Sequence, residues 1–299
     1  MRILLLLSVL LSVSSYAQSH PLPFGKLQDE QRFKDYTVKI YRNEDAPAET
    51  DTNPDHQDGV GCFEILKAGK QVYFQKGFKF EVAGQQSNGQ TNSLIAMGRS
   101  ITSDKQPNLV VREWSGGAHC CYTFTILQIS DVFRVVDQID TRNDDYPEFK
   151  DLRKDGSLDL VMDDWTFEYW HVCFADSPSP TVILLYQNHK YRPDLELMKK
   201  PAPSDQELHI MAKSMSAKFD SATKFNDDEK WAAPVELWGK MLDLIYSGNM
   251  DSAWKLCDLS WPAKHPGKEL FLKEFADKLM TSPYYNDINQ VGFQAKAKH

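Results

Sequence analysis

The sequence predicts a mainly β N-terminal region followed by a small all-α C-terminal module. Three observations carry this expectation. Between about Tyr36 and Tyr191, short runs rich in valine, isoleucine and aromatics alternate with turn residues, and no helix-length amphipathic segment separates them. Two of these runs look like copies of one unit. Beyond about Lys200 the apolar residues change to three- and four-residue spacing, which is the period of a helix face.

The expected strands are "YTVKIYR", "GCFEIL", "QVYFQKGFKFEV", "NLVVREW", "CYTFTILQI", "VFRVVDQI", "LDLVMDDW" and "TVILLYQ". Ala68-Gly69-Lys70, Ser115-Gly116-Gly117, Asp155-Gly156 and Ser177-Pro178-Ser179-Pro180 supply turns between them. "NLVVREW" matches "DLVMDDW" with Trp114 on Trp165. "HCCYTF" then matches "HVCFAD", which sets His119 on His171 and Cys121 on Cys173. "ILQISDVFRVV" and "LLYQNHKYRPD" follow loosely, after a longer loop in the second unit, and a weaker third unit begins near Cys62. A strand-only period of this size predicts propeller-like blades or a duplicated β-meander over residues 18–200.

"KKPAPSD" reads as a linker. Ser204 with Glu207 forms a capping box, in which the side chains satisfy amide donors left open at a helix start. Leu208, Met211, Met215 and Phe219 share one face. Residues 234–261 read as a helical hairpin, with Pro234 in a first turn and Gly248 at the left-handed C′ position. A last helix is expected from about Lys268 to Met280, with Leu270, Phe271, Phe275 and Leu279 inward. Residues 201–290 are thus a helical module and 291–299 a flexible tail.

Residues 1–17 have the build of a secretory signal peptide: Arg2, an apolar core from Ile3 to Leu11, and a small-residue end at Ala17. The expectation is a periplasmic or secreted protein with no transmembrane anchor after cleavage. The formal charge of −8 becomes one unit more negative when Arg2 leaves, a surface that repels nucleic acid. In an oxidising compartment Cys62, Cys120, Cys121 and Cys173 are candidates for one or two disulfides across the β-region. A bridge closing so long a loop contributes about 4 kcal/mol in the chain-entropy model. Cys257 is the fifth thiol.

Several constellations carry possible chemistry. His119, Cys120, Cys121, His171 and Cys173 are metal-ligand types, but their spacing is not that of a finger or knuckle, so no metal and no cofactor is expected. The Cys-Cys pair is not a C-x-x-C redox motif. "DLRKDGSLDLV" places Asp151, Asp155, Gly156 and Asp159 at positions of a calcium-type loop. Arg153, however, stands where that loop wants an oxygen ligand, which favours a plain Asp-Gly turn. Asp163, Asp164 and Glu168, beside Trp165 and Trp170, are the acids a glycan hydrolase would use. Serine elbows, phosphate loops and HExxH are absent.

The stretches "NLVVREWSGGAHCCYTFTIL" and "DLRKDGSLDLVMDDWTFEYW" resemble a group of uncharacterised exported bacterial proteins. Those carry a W/Y-SGGAHCC stretch followed by Asp-Gly strand units similar to FG-GAP (integrin-type propeller) repeats. The resemblance covers about residues 105–195 and implies a β-repeat domain in a Gram-negative envelope, with no known activity. The expected function is binding without catalysis, to an unknown envelope protein or a small ligand. The expected surface is formed by Trp114, Ser115, Gly116, Gly117, His119, Trp165, Trp170 and His171. A hydrolase using Asp163, Asp164 or Glu168 is the first alternative, and a His/Cys metal-binding protein the second.

Overall fold

Strict alternation builds the first sheet. In β2 (Tyr36–Arg42), Tyr36, Val38 and Ile40 are buried while Thr37 and Lys39 are not, which is the period of a strand with one face in a core. A computed structural model describes residues 25–43, 61–87, 90–91, 94–117, 120–145, 147–222 and 230–293. β2 pairs with β1 (Lys26–Phe33) and β3 (Gly61–Lys67), and β4 (Lys70–Gly77) completes a four-stranded sheet in the order β1-β2-β3-β4. Ala68 and Gly69 both take positive φ between β3 and β4, the two-residue turn whose twist suits a hairpin.

The second sheet has the order β10-β9-β8-β5, from β5 (Lys79–Glu81), β8 (Asn108–Trp114), β9 (Tyr122–Ile129) and β10 (Phe133–Arg142). A small hairpin of β6 (Gln86–Ser87) and β7 (Gln90–Thr91) lies between β5 and β8 in the chain. The third sheet runs β11-β12-β13-β14, from β11 (Glu148–Lys150), β12 (Asp159–Asp163), β13 (Thr181–Gln187) and β14 (Lys190–Pro193). Neighbouring strands within all three sheets are antiparallel. The meander reading therefore holds in its coarse form, with no closed barrel or propeller among the described residues.

Two expected strands are cut short. "QVYFQKGFKFEV" breaks near Phe78, so β4 closes the first sheet and β5 opens the second. "LDLVMDDW" leaves the sheet after Asp163, and Trp165–Phe167 is a 3-10 turn capped by the Asp164 side chain. The matched step "HVCFAD" is likewise a turn rather than a strand, and β13 starts only at Thr181.

The helices are α1 (Leu195–Met198), α2 (Asp205–Ser216), α3 (Val235–Tyr246), α4 (Met250–Ser260), α5 (Lys268–Leu279) and α6 (Tyr285–Phe293). The capping box at Ser204 and Glu207 is formed in both directions, and Gly248 has the positive φ of a C′ residue. Pro234 sits one step earlier than expected, at the N-cap of α3. The expected tail begins inside a helix, because α6 extends to Phe293. Residues 1–17 and 294–299 lie outside the described residues. No helix among the described residues is long and apolar enough to cross a membrane.

Two cores hold these layers. One lies between the first two sheets, around Tyr36, Phe63, Phe80, Leu109 and Leu127. The other joins Val110, Phe124 and Ile126 of the second sheet, Leu160 and Leu184 of the third, and Leu237, Trp238, Phe271 and Phe275 of the helices. The change from strand to helix near residue 200 is thus no break in the core. Fully burying side chains of this size contributes about 1.5–3 kcal/mol each.

A carboxyl group spans the seam between the first two sheets. Gln75 of β4 donates through Nε2 to Glu113 Oε2 of β8 at 2.9 Å. Burial holds the Glu113 carboxyl above its ordinary value of 4.5, although the Gln75 and Phe78 donors pull the other way. The native state therefore keeps this proton over a range in which the unfolded chain has released it. Glu113 contributes fully below about pH 4.5, and its contribution is lost as pH rises through the raised native value. Glu113→Gln removes that loss. The difference in urea midpoint should move in favour of the variant between about pH 4 and about pH 7; a difference flat with pH would contradict it.

Candidate functional site

The loops after β8 and β12 reach one rim. Lys79, Trp114, Tyr122 and Arg142 are register partners in a row across the end of the second sheet. From this row Arg142 donates through Nη1 to the Trp165 carbonyl at 3.3 Å. Asp144 accepts from the Asp163 amide at 2.9 Å. The end of β10 is thereby fastened to the end of β12. Trp114 ends a strand and Trp165 opens a 3-10 turn, so the two tryptophans have different local structure.

The Trp114 loop is built around its cysteines. The Ser115 amide donates to the Cys121 carbonyl at 3.0 Å, and the Cys121 amide donates to Ser115 Oγ at 2.7 Å. Trp114 Nε1 donates to the Gly117 carbonyl at 3.1 Å. Gly116 takes φ +93° against the Phe78 ring, and a Cβ on Gly117 would strike the Cys120 carbonyl. Only glycines fit both places. His119 lies outside the described residues. Arg112, two residues before Trp114 in β8, is fixed by Glu81 and by the Asp145 carbonyl at 2.6 Å.

The expected disulfide brace is corrected. Cys62 is a free thiol buried in β3 of the first sheet, Cys173 is free and exposed on the loop of the third, and the one close sulfur pair described is Cys120 with Cys121. Neighbours in sequence close no long loop, so the stabilisation expected from a cross-region bridge has no basis here. The described residues contain no group of three or more His, Cys, Asp or Glu that could hold a metal ion. Burial raises the Cys62 thiol to about 11 and the Cys257 thiol to about 12. In the folded protein, a thiol reagent should therefore modify Cys173 well before Cys62 or Cys257, which should react only on unfolding. Peptide mapping of early adducts checks this order.

Trp170 and His171 are not part of an open surface. Tyr169 and His171 both have positive φ, at 52° and 55°, and this turns neighbouring side chains opposite ways. Tyr169 points out and is 51% exposed. Trp170 wedges among Phe167, Trp231, Trp238, Phe271 and Phe275, with ring centroids 5.2–6.2 Å away. His171 lies over Trp231 at 4.6 Å, and its Nε2 is 3.7 Å from Glu274, which also accepts from Trp231 Nε1 at 2.7 Å. Trp165 remains on the rim. It stacks flat on Phe174 (5.1 Å, 10°), with Tyr169 5.6 Å beyond. Tyr169 and Phe174 are not among the binding residues expected from the sequence; their one signal is a run of aromatics after Trp165.

The acids expected of a hydrolase are each engaged by other groups. Asp164 is buried and accepts from the Thr166 amide and hydroxyl at 2.9 and 2.6 Å, from Ser282 Oγ at 2.6 Å, and from the Tyr246 hydroxyl. Burial, then the Asp164 charge, pushes the Tyr246 hydroxyl well up. Asp163, half-buried, accepts from Thr181 Oγ1 at 3.1 Å. Glu168 accepts from Asn143 Nδ2. Adjacent Asp163 and Asp164 thus serve different environments, and each of the three acids already has a partner.

The Asp-Gly loop carries its own cation. Asp151 caps the turn by accepting from the Asp155 and Gly156 amides, both at 3.0 Å. Arg153 Nη1 lies 2.8 Å from Asp159, and Nη2 meets Asp194. Both carboxylates are buried. The guanidinium neutralises acids that would otherwise be buried unpaired.

No protein-family model matches this chain, and no curated protein matches it.

Asp164→Ala would leave the Tyr246, Ser282 and Thr166 donors buried without an acceptor. It should cost about 3 kcal/mol or more, and Tyr246→Phe about 1–2 kcal/mol, in urea unfolding. A loss below about 1 kcal/mol for Asp164→Ala would show that this node does not hold the helices to the sheet.

Proposed function

We propose that this is an exported, non-enzymatic binding protein of the periplasm or the extracellular space, with its ligand on the aromatic rim of Trp165, Phe174 and Tyr169. The three four-stranded meanders read as blade-like repeat units in an open series, consistent with the resemblance to Asp-Gly strand repeats. The observation that carries the reading is the flat Trp165–Phe174 stack with Tyr169 half-exposed beside it. Such faces pack on a flat apolar surface, whether a sugar ring or a side chain of a partner protein. The partnered state of Asp163, Asp164 and Glu168 weighs against hydrolysis, which needs two carboxyls facing one bond.

The test uses the processed chain and soluble peptidoglycan fragments. Titration should shift the tryptophan emission, and Tyr169→Ala with Phe174→Ala should weaken binding about tenfold or more. Fragment masses should stay unchanged on long incubation. Cleavage that disappears in Glu168→Gln would establish the hydrolase instead. An absent emission shift with these fragments and with an envelope-protein extract would remove the rim as a binding surface.

A further inference from the structure

A second site shares only Arg142 with the rim. Where the edges of the second and third sheets approach α6, a cleft of about 460 Å³ opens between β10, β14 and the α5–α6 corner. Its volume falls within the range of small-molecule sites. Its floor is apolar: Ile139, Leu184, Tyr191 and Tyr284 line it and are all buried.

The walls carry both signs of charge. β14 supplies Lys190 and Arg192, β10 supplies Asp140 and Arg142, and α6 supplies Asp287; Asp140 accepts from the Arg142 amide at 2.9 Å, and the Arg142 guanidinium is held by the Trp165 carbonyl at 3.3 Å. Arg192 stands 3.8 Å from Asp287, and both side chains are partly exposed. The Lys190 ammonium pairs with no described carboxylate. Asp137, also in the wall, is already used: it accepts from the Tyr191 amide at 2.8 Å. That bond has a second consequence. β14 is an edge strand with its Tyr191 amide taken, and Pro193 has no amide to give. Strand addition to this edge is therefore blunted, and recognition falls to the side-chain charges.

A ligand with one charge would desolvate the wall groups of the same sign without replacing their solvation; a neutral ligand would do so to both signs. We infer that the cleft binds a small zwitterion, a free amino acid or short peptide, with its carboxylate toward Lys190 and Arg192, its ammonium toward Asp140 and Asp287, and its aliphatic part on the Leu184–Tyr191 floor. This site does not rest on the rim reading.

The probe is trialanine, titrated calorimetrically into the processed full-length chain, with N-acetyl-trialanine amide as the uncharged control. Trialanine should bind and the blocked peptide should bind at least tenfold more weakly. Lys190→Glu with Arg192→Glu should reduce trialanine affinity by a similar factor, and rising salt should weaken it. Both residues are exposed, so the pair should fold normally; Lys190→Gln is the milder variant if circular dichroism shows otherwise. Tyr169→Ala on the rim should leave trialanine binding unchanged, which separates this site from the other. Equal binding of the two peptides, no heat with trialanine, or undiminished affinity in both the double variant and Lys190→Gln would overturn the assignment.

Discussion

The insertion of Trp170 among the aromatic rings of the helices is the contact on which the other features depend. The connection between β12 and β13 contains only two 3-10 turns and no strand of its own. Its shape is set by Trp170 in the ring cluster and by Asp164 in its hydroxyl cage a few residues earlier. Apolar burial, aromatic and aliphatic, joins sheet and helices. The buried carboxylate supplies direction, because its acceptor positions must meet particular donors. Trp165, Tyr169 and Phe174 ride on this anchored loop and owe their arrangement to it.

The same loop shows why the sequence could be read only in part. Strand runs such as "YTVKIYR" and the Ser204–Glu207 capping box are local patterns, and local patterns survive into the structure. Which tryptophan packs among the helices is not local. Trp165 and Trp170 have similar neighbours in sequence, and the difference between them comes from two backbone turns and from a helical cluster some 60 residues later, around Trp231. The break at Phe78 was hidden for a related reason: the strand pattern continues through it while its hydrogen-bonding partners change from β3 to β8. α6 has only nine residues, with Gly292 near its end, and so short a run gives little helical pattern to read.

The cysteines and acids give the complementary lesson. An oxidising compartment suggested covalent bracing, yet buried Cys62 behaves as a small apolar side chain in a packed strand. Acids beside tryptophans suggested chemistry, yet Asp164 and Glu168 join elements together. In both cases residue type indicated what was possible, and burial with partners determined what was built.

Arg153 extends this to the response of the fold to its surroundings. A loop filled by a diffusible ion gains stability with the logarithm of that ion's concentration, and empties when the ion is scarce. A guanidinium tethered to the backbone is present at unit occupancy in every solution. The acids at Asp159 and Asp194 are therefore compensated equally in dilute and mineral-rich media, and this corner of the third sheet has no concentration to sense.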